Sequence, residues 1–316
     1  MSLRYIFLTV CVLLALVFLI FMPKTRAEHL VSRIIGGSPT TLSKYPWFVS
    51  LPWGCGGSLI GPRHILTAGH CNVFTYLKDM IGFPVVIGPT GNLTNSPEIA
   101  KFVEIAKKKN IPNTVKFGRS QEFTSGLMKY GEVRIISDAK VHPQYSTASD
   151  KIVNDVMILT LSEPSTQKPI QLYSGSALAP NTPLRIIGYG RSNVYRTDLD
   201  TMPAAAKYPA KLQTAVLKYA SLQTCKDASV TINGENVSLP VPTDPSVLCT
   251  HGQKKSGCHG DSGGPLILEP SGRPPLLVGV VSNGPAGCNG FQSTSRYLSF
   301  FANVSHLRSW IESFLK

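Results

Sequence analysis

The chain has 316 residues, 43% hydrophobic and 16% charged, with 27 Gly and 24 Pro. That balance excludes a protein built of long amphipathic helices and points to a globular, turn-rich, β-leaning chain able to bury a full core without metal. The formal charge is +13, and residues 1–33 hold a net +3 of it, leaving +10 downstream; a basic soluble surface is the plain reading, attraction to acidic substrates, glycans or membranes the alternative.

Tyr5–Met22 is an unbroken uncharged run, preceded by Arg4 and followed by Pro23, Lys24, Thr25, Arg26 and Ala27. A basic start, an apolar core and small residues at Thr25 and Ala27 read as an export signal over residues 1–27, cleaved after Ala27. The run also has the length of a bilayer span, so a signal anchor stays open. Lys24 and Arg26 on its far side weaken the anchor, because positive charge prefers the cytoplasmic face. Export implies a secreted, extracellular protein; the anchor implies a type II membrane protein.

From residue 34 onward the pattern is short apolar runs broken by Gly, Pro, Asn and Ser. Trp47–Leu51, Ser58–Leu66, Val156–Leu161, Leu184–Ile187, Leu212–Val216, Leu266–Leu268 and Leu276–Val281 have strand length. Many short strands without helical patterns between them predict a barrel or sandwich. Residues 101–134 carry eight Lys and Arg, from Lys101 to Arg134, against Glu104, Glu122 and Glu132. They read as a solvated surface insertion, with a polyanion-binding loop as the alternative. Val304, Leu307, Ile311 and Phe314 follow helical spacing and predict a C-terminal helix. Apart from Cys11 in the apolar run, the cysteines are Cys55, Cys71, Cys225, Cys249, Cys258 and Cys288. Six cysteines behind an export signal suggest disulfides, in any of fifteen pairings. None has zinc-ligand spacing, and no metal or other cofactor is expected. Asn92-Leu-Thr, Asn236-Val-Ser and Asn303-Val-Ser are glycosylation sequons.

Three strings carry chemistry. In Leu66-Thr-Ala-Gly-His-Cys71, His70 is a base suited to proton transfer near neutral pH. In Asn154-Asp-Val-Met-Ile-Leu159, Asp155 heads an apolar strand, where a buried acid needs a partner such as an imidazole N–H. In Gly257-Cys-His-Gly-Asp-Ser-Gly-Gly-Pro265, Ser262 becomes a nucleophile only if a base takes its proton and donors face the developing oxyanion. Gly260 leaves its own N–H and that of Ser262 free to be such donors.

Together these strings, in the order His70, Asp155, Ser262, resemble the chymotrypsin-like serine proteases of the trypsin family. Arg33-Ile-Ile-Gly-Gly37, Tyr45-Pro-Trp-Phe-Val49, Cys55-Gly-Gly-Ser-Leu-Ile60, Val141-His-Pro-Gln-Tyr145, Ile187-Gly-Tyr-Gly190, Val280-Val-Ser-Asn-Gly284 and Ser309-Trp-Ile311 extend the likeness over residues 33–316. It departs at Gly69, where alanine is usual and either small residue is expected to fit, and in the long interval from His70 to Asp155.

The resemblance implies an all-β fold of two six-stranded Greek-key barrels packed face to face, about 34–165 and 166–316, with a C-terminal helix. It implies a serine endopeptidase made as a zymogen; a catalytically idle homologue that binds a partner or polyanion is the alternative, against which intact Ser262, His70, Asp155, Gly260 and Asp261 argue. Residues 28–33 would be a short propeptide, cut after Arg33 by a trypsin-like activator, so that the new amino group of Ile34 pairs with Asp261. The implied disulfides are Cys55–Cys71, Cys225–Cys249 and Cys258–Cys288. Ser256, six residues before Ser262, becomes the specificity-pocket floor, with Gly284 and Ser299 as walls. An uncharged floor implies cleavage after bulky apolar residues. Ser282 and Gly284 would pair with the backbone of protein or peptide substrates, Asn283 replaces a usual Trp, and His259 lies at the pocket rim. No specific nucleic acid partner is expected.

Overall fold

A computed structural model describes residues 34–51, 54–72, 80–82, 84–88, 132–148, 152–175, 177–190, 212–226, 229–232, 235–238, 244–252, 255–284 and 297–316. The export segment, Arg33, Asn92, residues 101–131 and Cys288 lie outside the described residues. In chain order the strands are β1 (Ser38–Pro39), β2 (Phe48–Ser50), β3 (Gly56–Gly61), β4 (His64–Thr67), β5 (Pro84–Ile87), β6 (Glu132–Val141), β7 (Met157–Leu161), β8 (Gln171–Leu172), β9 (Pro183–Gly188), β10 (Gln213–Ala220), β11 (Ser229–Ile232), β12 (Glu235–Ser238), β13 (Val247–Gly252), β14 (Pro265–Leu268), β15 (Leu276–Asn283) and β16 (Tyr297–Asn303). Two helices are described, α1 (Leu222–Lys226) and α2 (Val304–Glu312).

The first ring is a closed barrel in the order β2-β3-β4-β7-β6-β5. The second sheet runs β1-β10-β13-β16-β15-β14-β9, and β10 also pairs with β9, so the path from β9 to β16 returns on itself. Closure leaves few unpaired edges, which is how antiparallel folds avoid edge-to-edge association. Ser58–Leu66, expected as one strand, folds instead as the β3–β4 hairpin, with Leu59 opposite Ile65. Pro62 breaks it, because proline cannot donate to a ladder.

One core runs between the two rings. Phe48, Leu59, Ile65, Leu66 and Leu159 of the first ring are continuous with Ile187, Ile267 and Val280 of the second. A second cluster inside the other ring joins Leu184, Ile186, Leu217, Leu266 and Phe301, and it includes Ile34, which is fully buried.

Helix α2 forms where the sequence places it, and its Val304, Leu307 and Ile311 pack into the core shared with the first ring. Phe314 lies just past the helix end, edge-on to Trp310 at 5.0 Å, and Trp310 meets His142 at 4.8 Å. Burial, with a smaller effect from His306, holds the His142 pKa below its usual value. Asn303 is the N-cap of α2. Its side chain accepts from the His306 N–H at 3.4 Å and donates to the Pro245 carbonyl at 3.0 Å. Among the described residues no helix is long and apolar enough to cross a membrane.

Two residues counted with the basic insertion, Glu132 and Arg134, belong to β6. Glu132 is 6% exposed, pairs with Arg134, and accepts from Ser165 Oγ at 2.8 Å and from the Thr166 N–H at 3.1 Å. Arg134 also donates to the Pro164 carbonyl at 2.9 Å. This network fastens the start of β6 to the linker leaving β7. Glu132→Ala should lower stability by about 3 kcal/mol, because it strands a partly buried guanidinium and several donors. Denaturant unfolding checks this, and a loss within the range of an exposed pair, under about 1 kcal/mol, would mean that the linker is held by other contacts.

Candidate active site

Strand β4 delivers Thr67 and Ala68 into a short 3-10 turn, Gly69–Cys71. The Cys55–Cys71 disulfide ties that turn to the start of β3, and Thr67 Oγ1 donates to the Gly56 carbonyl at 2.8 Å. His70 is therefore presented from a fixed backbone with its side chain 26% exposed.

Asp155 lies two residues before β7 and is 1% exposed. A carboxylate this buried needs donors, and it has them. Its Oδ1 accepts the His70 backbone N–H at 2.8 Å, and its Oδ2 accepts His70 Nδ1–H at 2.7 Å and Ser282 Oγ–H at 2.5 Å. A carboxylate only accepts, so the ring proton sits on Nδ1 and the Nε2 lone pair is free to take another.

The Ser262 loop lies directly on the histidine segment. The Ser262 carbonyl accepts the Gly56 N–H at 2.7 Å. Gly263, at φ +74°, leaves no room for a side chain: a Cβ would collide with Thr67 Oγ1 and lie 3.1 Å from the Ala68 nitrogen. Gly260 has φ +95°, a conformation that glycine adopts without steric cost. Among the described residues neither the Gly260 nor the Ser262 N–H is spent on a protein acceptor, while the flanking Asp261, Gly263 and Gly264 N–H groups all are.

Asp261 is 1% exposed. Its oxygens accept the Gly190 N–H at 2.8 Å and the Cys258 N–H at 2.9 Å. Burial pushes its carboxyl up to about 7, and the two N–H groups offset only part of that. Ile35 pairs with Ser256 through reciprocal bonds of 3.1 and 3.3 Å, which brings the segment after Arg33 alongside the serine loop.

The residues expected to form a pocket are dispersed in sequence but carried by neighbouring elements. Ser256 is buried, Ser299 sits in β16 opposite Thr250, and Gly284 directly follows β15. Among the described residues, a Cβ at Gly284 would come within 4 Å of the Leu298 carbonyl alone, at 3.8 Å, an ordinary contact. Ser299 Oγ is buried without a hydrogen-bond partner among the described residues. His259 is exposed. Cys225–Cys249 is bonded as the resemblance implies, and Cys258 is also in a disulfide.

Comparison with known proteins decides the family. The Trypsin family model matches residues 34–110 and 112–311. The chain belongs to the trypsin family. It is a serine endopeptidase, a hydrolase of peptide bonds. Trypsin alpha-4 of Lucilia cuprina is 29% identical over 300 residues, covering 92% of this chain and 91% of that protein. Human Kallikrein-14 is 26% identical, covering 92% and 88%. Human Chymotrypsin-like elastase family member 3B is 28% identical, covering 89% and 88%.

Three features of this trypsin-family site escape sequence reasoning. The Ser282 hydroxyl touches Asp155, whereas only its backbone was assigned a role. Tyr145 packs beside Gly69, and burial, with the Asp155 charge, pushes its phenol up to about 12, so it stays neutral. Gly69 and alanine do not fit equally well: a Cβ there would lie 3.1 Å from Tyr145 Cδ2 and 3.2 Å from Asp155 Oδ1, so the ring would have to yield. Only Tyr145 had a signal, its place in the Val141–Tyr145 string. Removing the Ser282 hydroxyl leaves a buried carboxylate one donor short. Ser282→Ala should cost about 2 kcal/mol of stability, the range for a hydrogen bond to a charged group; an unchanged unfolding midpoint in urea would show that solvent replaces the donor.

Proposed function

We propose that the chain is an exported zymogen, activated by cleavage after Arg33, that hydrolyses peptide bonds through an acyl-enzyme on Ser262 and prefers bulky apolar residues before the scissile bond. The observation that carries this reading is the 2.7 Å His70–Asp155 pair, with the Ser262 loop packed on the histidine segment.

His70 Nε2 takes the proton of Ser262 Oγ as that oxygen attacks the substrate carbonyl. The carbonyl oxygen gains the electron pair and is received by the Gly260 and Ser262 N–H groups. The proton then passes from Nε2 to the leaving amine as the C–N bond breaks. Water, deprotonated by the same nitrogen, attacks the ester carbonyl; the acyl carbon–Ser262 Oγ bond breaks, Oγ takes that proton back from Nε2, and the acid leaves. Asp155 holds the tautomer and offsets the imidazolium charge. Ser282, near the end of β15, and Gly284, just past it, offer backbone groups to which a substrate would add as a strand.

Activation is supported by the imbalance at Asp261. A buried carboxyl with no cation partner among the described residues is poorly accommodated when ionised, and the α-amino group of Ile34, freed by cleavage, would supply the cation. The fully buried Ile34 side chain and the Ile35–Ser256 pairing are consistent with that inward position. Preference for apolar residues is supported by Ser256 and Ser299, which offer hydroxyls and no carboxylate to a substrate Lys or Arg. Such a pocket would cut poorly after its own Arg33, so the activator is a different, trypsin-like protease. Asn236 and Asn92 are the better candidates for glycans, because Asn303 is engaged as a helix cap.

Labelling with an organophosphate serine reagent tests the mechanism. Protein cut after Arg33 should label at Ser262, uncut protein should label far more slowly, and Ser262→Ala should not label; a cut protein that stays unlabelled overturns the reading. A peptide library profiled with the cut protein should show turnover after Phe, Tyr, Leu or Met, whereas turnover confined to Arg or Lys would refute the pocket assignment.

The Asp261 shift fixes a sign. Its folded pKa of about 7 exceeds the unfolded 3.8, so between those values the folded uncut chain holds the extra proton and loses stability as pH rises. The full shift corresponds to roughly 4 kcal/mol. Unfolding midpoints of uncut protein should therefore fall from pH 4 to pH 7 more steeply than those of cut protein, in which the new ammonium favours the ionised acid. Equal slopes in the two forms would count against the pairing.

A further inference from the structure

The second ring reaches Asp155 twice. Ser282 touches its carboxylate, and a different serine, Ser246, touches the backbone that leads into it. Ser246 is fully buried in the turn before β13. Its Oγ accepts the Asn154 N–H at 2.9 Å. Asn154 stands at φ +50°, the left-handed region that non-glycine residues seldom enter, and Asn is among the few side chains that tolerate it. The Asn154 carbonyl turns back to accept the Val156 N–H at 2.8 Å, so the chain bends sharply across Asp155 itself. The direction of the Asp155 side chain is thus set by a backbone bend whose leading N–H is held from the other ring.

Ser246 is itself held on both sides. Its N–H donates to Asp244 Oδ1 at 2.8 Å, and its carbonyl accepts the Asn303 N–H at 2.7 Å. Asn303 also grips the neighbouring Pro245 carbonyl and caps helix α2. Asn154 Nδ2 adds a bond to the Gln144 carbonyl at 3.1 Å, but that contact stays within the first ring and leaves the N–H direction to Ser246.

We propose that Ser246 is a positioning residue for the peptidase reaction: by fixing the Asn154 N–H across the junction of the two rings, it aims the Asp155 carboxylate at His70. It touches neither substrate nor a reacting atom, and its effect passes through Asp155. The inference rests on Asp155 being the acid of the triad. A misaimed carboxylate leaves substrate binding intact and weakens the orientation of the imidazole in the transition state, so the loss falls on kcat and not on KM.

The test uses protein cut after Arg33, with active sites counted by the organophosphate reagent so that kcat refers to folded enzyme. Ser246→Ala should lower kcat on a peptide amide about tenfold with KM within twofold of the unsubstituted enzyme. Ser246→Thr, which keeps the oxygen acceptor, should keep kcat within about threefold. Ser165→Ala, which deletes a comparable partly buried hydroxyl on Glu132, should leave kcat unchanged. The proposal is overturned if Ser246→Ala retains native kcat, if its loss appears in KM, or if Ser165→Ala loses as much. Should Ser246→Ala yield no countable sites, Ser246→Cys decides, since it keeps the volume but offers a weak acceptor: a several-fold kcat loss at unchanged KM supports the role, and native kcat rejects it. Asp155→Asn is run alongside: a nearly unaffected Asp155→Asn enzyme would remove the triad assignment itself, an outcome distinct from failure of the Ser246 variants.

Discussion

Burial of the Asp155 carboxylate is the constraint around which the rest of the molecule is arranged. A charge with 1% exposure survives only if its oxygens are filled with donors, and each donor must be fixed in place before the acid arrives. Two come from His70, which is why the 3-10 turn over Gly69–Cys71 is tied down by a disulfide and by Thr67. The third comes from Ser282, on a strand of the other ring. The rings cannot separate without stripping a donor from a buried charge. Their docking is therefore an electrostatic requirement as well as an apolar one, and the shared core of Phe48, Leu59, Ile187 and Val280 brings the donors within reach.

Asp261 is the instructive contrast. It is as deeply buried as Asp155, accepts two backbone N–H groups, and faces no described cation. Burial pushes its carboxyl to about 7, so the acid, held by two N–H groups and no described cation, resists ionisation near neutral pH. Two acids in one protein thus occupy opposite electrostatic conditions: one is completed by an imidazole that the fold supplies, the other has only backbone N–H donors among the described residues. That asymmetry gives the proposed activation a physical basis. A peptide cut more than two hundred residues upstream in sequence can matter to the serine loop because Ile35 already runs beside Ser256.

What could be read from the chain follows from how narrowly chemistry restricts each position. His70, Asp155, Ser262 and Gly260 lie in strings whose residue types proton transfer, oxyanion access or backbone at positive φ would restrict, so they stand out as candidates. Buried runs such as Leu184–Ile187 and Leu276–Val281 were legible as strands, although their ends were not. Strands β13 and β16 stood out less because polar residues interrupt their apolar runs: buried Thr250 and half-buried His251 in one, buried Ser299 and half-buried Asn303 in the other. The β3–β4 hairpin was merged into one run because its apolar content continues across the Pro62 turn. Ser246, the Ser282 hydroxyl and Glu132 left no signal, since each acts on a partner distant in sequence and nothing local distinguishes it from an ordinary polar residue.

The same logic bears on selectivity. A pocket for a cationic side chain must return in Coulomb energy what it removes in hydration, and that requires an acid close to the buried charge. Ser256 and Ser299 supply only dipoles, and the Ser299 hydroxyl is itself buried without a partner among the described residues. An arginine or lysine entering such a site would be desolvated with too little in exchange, whereas an apolar side chain has little hydration to lose. A side chain with one polar atom at the right depth would in addition satisfy the Ser299 hydroxyl, which makes Tyr or Met a better match than Leu on the proposed reading. On the proposed reading, selection against basic residues would separate activation from activity: an enzyme cutting after Arg33 would need an acid-floored pocket, and the enzyme released would, by the same electrostatics, not cut there again.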